Sequence, residues 1–258
     1  MPPIRKGDGT PVTPKGISQI RTGDGRILFD GPAIPDADVF HPVDEGTGTT
    51  WADEIGSRDV SFNSFSWVED SDAFGGQKAQ TDGSEDEGSL SYDELGSELN
   101  SFAIAFTIET TDESAFLAIF NSPSDQSLEI ATNGRNDTVS GRAMLTIRDP
   151  DNNNFSFYSD TDITDGSRYR VFYRVIDANN HDAELYVTEE GESFGNDESN
   201  LARQESPSGF QSFEDDIDVS HSSVLSENTA AEWDALAIWE NDPGAEEAQD
   251  DFDRQPWS

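Results

Sequence analysis

The chain contains no cysteine and very little positive charge. Its 258 residues include only 15 Lys and Arg against 54 Asp and Glu, which gives a formal net charge of −39. The absence of cysteine excludes disulfide bonds and thiolate metal sites. Nucleic acid and anionic lipid would both be repelled by so acidic a protein, so the composition excludes both classes of partner.

Long hydrophobic segments are also missing. No apolar run approaches the roughly 20 residues that a helix needs to cross a bilayer, so we expect no membrane insertion. The N-terminus reads Met-Pro-Pro-Ile-Arg-Lys, and no hydrophobic stretch follows it. This pattern predicts that there is no signal peptide.

The acid excess is the dominant feature of the composition. Like charges in this number repel one another at ordinary ionic strength, but molar salt shortens the Debye length to about 3 Å and screens the repulsion. Intrinsic disorder is the alternative interpretation of high charge. However, 16 Phe, 5 Trp and 5 Tyr supply large apolar surfaces to bury. We therefore interpret the composition as that of a globular protein from a high-salt environment.

Residues 1–36 differ from the remainder. They hold five basic and four acidic residues, a net charge of +1, which leaves −40 for the rest. Arg-Lys-Gly-Asp-Gly at 5–9 and Arg-Thr-Gly-Asp-Gly at 21–25 form an imperfect repeat of two Asp-Gly turns, and six prolines favour an extended backbone. We predict an extended N-terminal arm at 1–36 that orders against other subunits, in a homo-oligomer that is most simply a trimer. A flexible leader is the alternative.

From residue 38 onward the pattern favours β-strands. Phe102, Ile104, Phe106 and Ile108 alternate with small or polar residues, which predicts a strand with one buried face. Similar segments lie at 115–120, 128–130, 143–147, 155–157, 169–176, 183–187 and 233–239, so a sandwich or barrel is expected. One short helix is predicted at 243–251, with Asn241 and Asp242 as its cap and Pro243 in its first turn.

Five segments in order resemble a known family. They are Phe-His-Pro-Val-Asp-Glu-Gly-Thr-Gly at 40–48, Asp-Glu-Ile-Gly at 53–56, Phe-Gly-Gly at 74–76, Asp-Gly-Ser-Arg-Tyr-Arg-Val-Phe-Tyr at 165–173 and Trp-Asp-Ala-Leu-Ala-Ile-Trp at 233–239. Residues 38–258 thus resemble the laminin-G-like, concanavalin A-like jelly rolls. The resemblance implies an all-β sandwich of two stacked antiparallel sheets, with carbohydrate or protein ligands.

The resemblance also implies a structural calcium ion. In related folds an acid of the first Asp-x-x-Gly turn and an acid of the closing strand approach the same ion, and the matching positions are Asp53 and Asp234. Carboxylate and carbonyl oxygens are the ligands that calcium prefers. Ordinary surface acidity is the alternative explanation in a chain with 54 acids.

Two turns rich in Asn and Asp form a candidate ligand site. If the strands form a meander, the turns at 149–154 and 177–182 lie at the same end of the sheet, because two strands separate them. The candidate ligand-binding residues are Asn152, Asn153, Asn154, Asn179, Asn180 and Asp182. Loops at the ends of a sandwich often carry its function, although Asn and Asp are also ordinary turn formers.

No catalytic pattern is evident, so we predict that the protein is not an enzyme. The alternating Glu-x-Asp-x-Glu pattern of some glycosidases is absent from the predicted strands, and His41, His181 and His221 are scattered without ligand spacing.

Binding of glycans implies that the module acts outside cells, yet no signal peptide is expected. Both expectations are met if the protein belongs to a virus particle. In outline the chain resembles turret, spike and tail-fibre proteins of tailed viruses of halophilic archaea. We therefore predict a virion surface protein that attaches to host-surface glycans and contacts other virion proteins through residues 1–36. The alternatives are a cellular carbohydrate-binding or adhesion module and a degenerate glycoside hydrolase.

Overall fold

The computed structural model describes most of the chain after residue 35 and two short strands before it. The described residues are 19–21, 27–30, 36–55, 59–62, 65–82, 88–90, 101–113, 116–121, 127–133, 140–148, 154–177, 182–194, 198–199, 222–224 and 230–257. In this part of the chain no helix is long and apolar enough to span a membrane.

The described residues form strands and one helix. The strands are β1 (Gln19–Arg21), β2 (Ile27–Asp30), β3 (Val39–His41), β4 (Thr50–Trp51), β5 (Val60–Phe62), β6 (Ser66–Glu69), β7 (Gln77–Asp82), β8 (Gly88–Leu90), β9 (Phe102–Thr110), β10 (Phe116–Asn121), β11 (Ser127–Asn133), β12 (Ser140–Arg148), β13 (Asn154–Asp162), β14 (Arg168–Asp177), β15 (Asp182–Glu189), β16 (Glu198–Ser199), β17 (Ser222–Val224) and β18 (Ala230–Trp239). The helix is α1 (Ala245–Asp253).

Two eight-stranded antiparallel sheets make up the body. Sheet I has the order β13-β12-β11-β10-β17-β8-β5-β4. Sheet II has the order β16-β15-β14-β9-β18-β7-β6, and β3 also pairs with β18. The predicted all-β sandwich of two antiparallel sheets is confirmed. Strands β1 and β2 form a separate two-stranded sheet that pairs with no other described strand.

The core between the sheets follows from the alternation in β9. Phe102, Ile104, Phe106 and Ile108 are all buried in the main apolar cluster, as predicted. Side chains of sheet I such as Leu145 belong to the same cluster. Because successive side chains of a strand point to opposite faces, this register is the one that buries all four large groups between the sheets.

Phe106→Ala is expected to lower the free energy of unfolding by about 3 kcal/mol. The ring is 3% exposed, and it packs 6.0 Å from the ring of Tyr173 and 5.8 Å from that of Trp233. These aromatic neighbours can shift partway into the cavity, so we expect the lower end of the range for such substitutions. Urea unfolding in molar salt measures the loss, and half-buried Val68→Ala is the control with a smaller expected effect.

A second apolar cluster covers the outer face of sheet II. The residues of β9 that alternate with the inner set, Ala103 and Ala105, lie here together with Phe172, Trp239 and Ala248 of α1. Both faces of β9 are therefore buried, one against sheet I and the other in the cluster to which α1 contributes. Small side chains on this face leave room for the helix to approach the sheet.

The helix begins two residues later than predicted. Gly244, with φ of +89°, precedes the first turn, and no side chain caps it. The predicted cap residue Asp242 has another role. Its carboxylate accepts two hydrogen bonds from Arg174, at 2.6 and 2.7 Å, and one from the backbone amide of Gly244 at 2.9 Å. The carboxylate of Asp242, which the local pattern assigned to the start of the helix, thus forms an ion pair with Arg174 of β14.

A bulge in β18 marks a change of neighbours. The first half of β18 pairs with β7, and the second half pairs with β3. Between them the register against β9 shifts after Asp234, and Ala235 has a φ of +49°. The carbonyl of Ala235 accepts a hydrogen bond from Arg170 Nη1 at 2.6 Å. The strained residue is therefore held by a buried arginine of β14.

Candidate functional site

The outer face of sheet II is charged beyond the area that α1 covers. Lys78 of β7, Glu109 of β9, Arg168 of β14 and Glu232 of β18 lie next to inner-face residues in their strands, so their side chains point outward. Strands β14, β9, β18 and β7 are consecutive neighbours in the sheet. The fold therefore brings together charges that are far apart in sequence.

Lys78 is the centre of this charged group. Its ammonium lies 3.0 Å from Glu109 and 3.1 Å from Asp70, and it also contacts the carboxylate of Glu232. Its side chain is only 8% exposed. Burial disfavours the charged form, but the hydrogen bonds that the ammonium donates to the three carboxylates outweigh burial and raise the pKa of Lys78 above its usual value. One lysine thus binds acids from three segments of the chain, namely the β6–β7 loop, β9 and β18.

The loop between β6 and β7 completes the group. Asp70 also binds the guanidinium of Arg168, and the amide of Phe74 donates to Asp234 at 2.7 Å. Gly75 lies very close to the segment that follows β3. A Cβ atom on Gly75 would be 2.3 Å from the carbonyl oxygen of Val43. Gly75 of the Phe-Gly-Gly segment is therefore required by a close backbone approach.

A polar cleft lies beside the Lys78 group, at the end of sheet II where β14 begins. Its volume is about 220 Å³, and its lining includes Gln80, Glu109, Thr110, Thr111, Gly166 and Glu232. Gln80 Nε2 donates to Glu232 Oε1 at 2.9 Å, and Thr110 Oγ1 donates to the carbonyl of Ala230 at 2.7 Å. The cleft thus presents carboxylate, amide, hydroxyl and backbone groups beside an apolar surface that is at least as large.

Asp234 lies under the same loop and is 1% exposed. Its Oδ2 accepts the hydrogen bond from Phe74, while its Oδ1 is buried with no hydrogen-bond partner among the described residues. Burial raises the pKa of this carboxyl to about 6, against the opposing effects of the Phe74 amide and of the Arg170 and Arg168 charges.

Protonation of Asp234 is expected to stabilise the fold. Because its pKa is about 6 in the folded protein and about 3.9 in an unfolded chain, the contribution is fully present below about pH 4 and is lost as the pH rises through about 6. Asp234→Asn cannot titrate. We expect wild type to gain roughly 2–3 kcal/mol relative to the variant between about pH 7 and pH 4. Urea unfolding at several pH values tests this, and a constant difference would contradict it.

The two candidate calcium ligands have separate hydrogen-bond partners. Asp53 Oδ1 accepts the amides of Phe40 at 3.2 Å and Ile55 at 3.0 Å, which closes the turn after β4. Asp234 binds Phe74 instead. Across the described ranges, no three His, Asp or Glu side chains are grouped so that they could hold a metal ion. Calcium at Asp53 and Asp234 stays a prediction.

The candidate asparagine site falls partly outside the described residues. Asn152, Asn153, Asn179 and Asn180 are not described. Asn154 begins β13, and Asp182 is exposed at the start of β15. The expected meander is not continuous, since β13 belongs to sheet I and β15 to sheet II. Whether the two turns bind a ligand together stays a prediction.

Sequence reasoning did not identify the polar cleft or the Lys78 group. Lys78 is the only lysine after residue 36, in a region rich in acids, and this rarity was a usable signal. The acidic partners of Lys78 gave no such signal. Asp70, Glu109 and Glu232 lie in separate segments, and nothing in the sequence distinguishes them from the other acids of the chain.

Solved structures with a similar fold include toxin domains. The receptor-binding domain of botulinum neurotoxin type G matches with a TM-score of 0.53 and 14% identity, over 86% of this chain and 53% of that one. The receptor-binding domain of botulinum neurotoxin D matches with a TM-score of 0.54 and 13% identity, over 85% and 52%. The serotype D ligand-binding domain in complex with N-acetylneuraminic acid matches with a TM-score of 0.56 and 10% identity, over 85% and 51%.

The chain shares their β-sandwich fold. It spans about half the length of these neighbours, and similarity at such low identity shows the fold alone. No family model matches the sequence, and no curated protein matches it either.

Proposed function

We propose that the sandwich is a non-catalytic glycan-binding module whose ligand enters the polar cleft. The observation that supports this most directly is the cleft itself, an open site lined by Gln80, Glu109, Thr110 and Glu232 at one end of sheet II. Planar amide and carboxylate groups together with hydroxyls match the donors and acceptors of a sugar ring. The fold is also that of a domain whose structure contains N-acetylneuraminic acid.

Binding suits the cleft better than hydrolysis. A glycosidase needs one carboxyl that can give up a proton and one carboxylate that is free to attack or to activate water. Here Glu109 and Glu232 both bind the ammonium of Lys78. The ammonium donates to both carboxylates, so both are already engaged by one cation and neither is free to attack or to activate water.

A blocking variant tests the location of the site. Ala230 is exposed and lines the cleft, so Ala230→Trp fills the cleft without removing any charge of the Lys78 group. On an array of host-surface glycans in high salt, we expect wild type to bind and Ala230→Trp to lose binding. Unchanged binding by Ala230→Trp would exclude the cleft.

The asparagine turns provide the comparison. Asp177 ends β14 about 30 Å from the start of this ten-residue strand beside the cleft, and Asn154 begins β13 of the other sheet. Replacing Asn152, Asn153 and Asn154 with Ala, and separately Asn179 and Asn180, should leave binding intact if the cleft is the site. Loss of binding in these variants alone would assign the ligand to the turns. Release of reducing ends from host polysaccharide would instead favour the degenerate hydrolase.

The module is further proposed to belong to the surface of a haloarchaeal virus particle. The acid excess of the body suits molar salt, and host attachment gives a glycan-binding sandwich a role there. Detection of the protein in purified particles tests this assignment. A cellular adhesion module is the rival, and it would be found on cells that carry no virus.

Residues 1–36 are proposed to tie subunits together. The segment carries a net charge of +1 against −40 for the rest, so it is attracted to neighbouring bodies. We expect deletion of residues 1–36 to convert a homo-oligomer, most simply a trimer, into a folded monomer that no longer enters particles. Light scattering in molar salt measures the mass. A truncated protein that keeps its oligomeric state would place the interface on the sandwich.

A further inference from the structure

The charge of the polar cleft limits which sugars it can accept. The two carboxylates that line it are accessible, with side-chain exposures of 34% for Glu109 and 23% for Glu232. The remaining polar groups there are neutral, and they come from Gln80, Thr110 and Thr111 among others. Every charged side chain in the lining is therefore negative.

The nearby cations are withheld from the cleft. Lys78 does not line the cleft, its side chain is 8% exposed, and three acids already bind its ammonium. Arg168 is 9% exposed and is bound by Asp70, with Glu190 at 3.7 Å. The group thus contains two cations against four carboxylates, and neither cation belongs to the lining.

Burial of an anionic ligand group requires a cationic or strongly donating partner, because an unpaired charge loses its hydration without compensation. The cleft offers no such partner to a sugar carboxylate or sulfate. It does offer carboxylate oxygens, which accept strong hydrogen bonds from sugar hydroxyls and stronger ones from a protonated amine. Its volume of about 220 Å³ is below the range of roughly 300–1,000 Å³ typical of sites for drug-sized ligands, which suits one terminal sugar residue.

We propose that the polar cleft selects a terminal sugar that is uncharged or carries a protonated amine, and that it rejects sugars bearing a carboxylate or a sulfate. This inference rests on the proposed glycan-binding function and deepens it. It also separates the chain from the structural neighbour, whose bound N-acetylneuraminic acid is a carboxylated sugar.

A matched set of oligosaccharides tests the selectivity. Glucosamine differs from glucose by one amine, and glucuronic acid differs from glucose by one carboxylate. Short oligomers that end in one of these three sugars can be titrated against the full chain by ligand-observed NMR. The titrations use the lowest salt at which the protein remains folded. We expect the amine-terminated and glucose-terminated oligomers to bind, and the carboxylate-terminated oligomer to bind at least tenfold more weakly.

The outcomes separate the two proposals. Binding of the carboxylated oligomer that equals or exceeds that of the neutral one overturns the selectivity and leaves glycan binding intact. If none of the oligomers and no glycan on the array binds, both proposals fail.

Conservative variants locate the cause of the selectivity. Glu232→Gln keeps an oxygen for Lys78 and turns its NH2 group toward Gln80, whose own amide can rotate to accept it. The variant removes one cleft charge, so the ratio of amine-sugar to acid-sugar affinity should fall at least about fivefold. Glu184→Gln is the matched control, since it removes a charge from the same face of sheet II, beside Arg174. An equal fall in Glu184→Gln would show that only net charge matters and would overturn the proposal.

Discussion

Replacing Arg170 with methionine is expected to lower the free energy of unfolding by about 3–5 kcal/mol. The guanidinium donates to both carboxylate oxygens of Asp251 on α1, at 2.7 and 2.8 Å, and to the carbonyl of Ala235 at 2.6 Å. Both charged side chains are only 2% exposed. Removing one partner leaves the carboxylate of Asp251 buried without its counter-charge and the bulge of β18 without its donor.

Two controls separate this effect from general loss of charge. The double variant Arg170→Met/Asp251→Leu removes both charges and should recover part of the loss, because an apolar pair needs no counter-charge. Arg142→Met breaks the Arg142–Asp160 pair, whose side chains are 37% and 65% exposed. Its expected cost is at most about 1 kcal/mol. Urea unfolding in molar salt measures all three, and equal losses in Arg170→Met and Arg142→Met would contradict the prediction.

Dilution of salt is expected to unfold the sandwich. The residues after 36 carry a net charge of −40, and their mutual repulsion is screened only when the Debye length falls to about 3 Å in molar salt. At about 0.1 M salt the Debye length is near 10 Å, so repulsion extends between neighbouring charged groups. We therefore expect the thermal midpoint to fall continuously from 3 M toward 0.1 M KCl, an interval that spans both regimes.

The salt dependence can be assigned to charge by two further measurements. Sucrose strengthens burial of apolar surface without screening charge. Adding sucrose at low salt should therefore not restore the thermal midpoint that is measured in KCl. Lowering the pH neutralises carboxylates, and Asp234 with its pKa of about 6 is among the first. A midpoint that stays flat across the salt range would contradict the prediction, and rescue by sucrose alone would transfer the cause from repulsion to burial.

The sequence was sufficient to predict the strands of the core, but it was insufficient to predict which strands pair with each other. Alternation placed Phe102 and Phe106 on the inner face of β9, and the structure confirms this. Alternation assigns a residue to a face of its strand but does not specify which strand lies beside it. Thus β9 lies between β14 and β18, which are distant in sequence, and the pairing depends on how the whole chain packs.

The same limit explains the error at the helix. The local pattern assigned Asp242 to the helix cap, but Arg174 lies 68 residues away and binds it in the folded protein. The guanidinium donates in parallel to both oxygens of this carboxylate, the amide of Gly244 shares one of them, and no side chain caps the first turn of α1. Local signals therefore mark that a helix is present more reliably than they mark its first residue.

The sequence by itself determined the all-β class, the inner faces of the strands and the acid excess, because these depend on residue type and on a period of two along one strand. Only the tertiary structure decided what occupies the outer face of sheet II. It placed α1 over the small residues of β9, joined Arg170 to Asp251, and gathered Asp70, Glu109 and Glu232 around Lys78 beside the cleft. These contacts join segments far apart in the chain, and a one-dimensional pattern carries no information on which distant acids meet one buried cation.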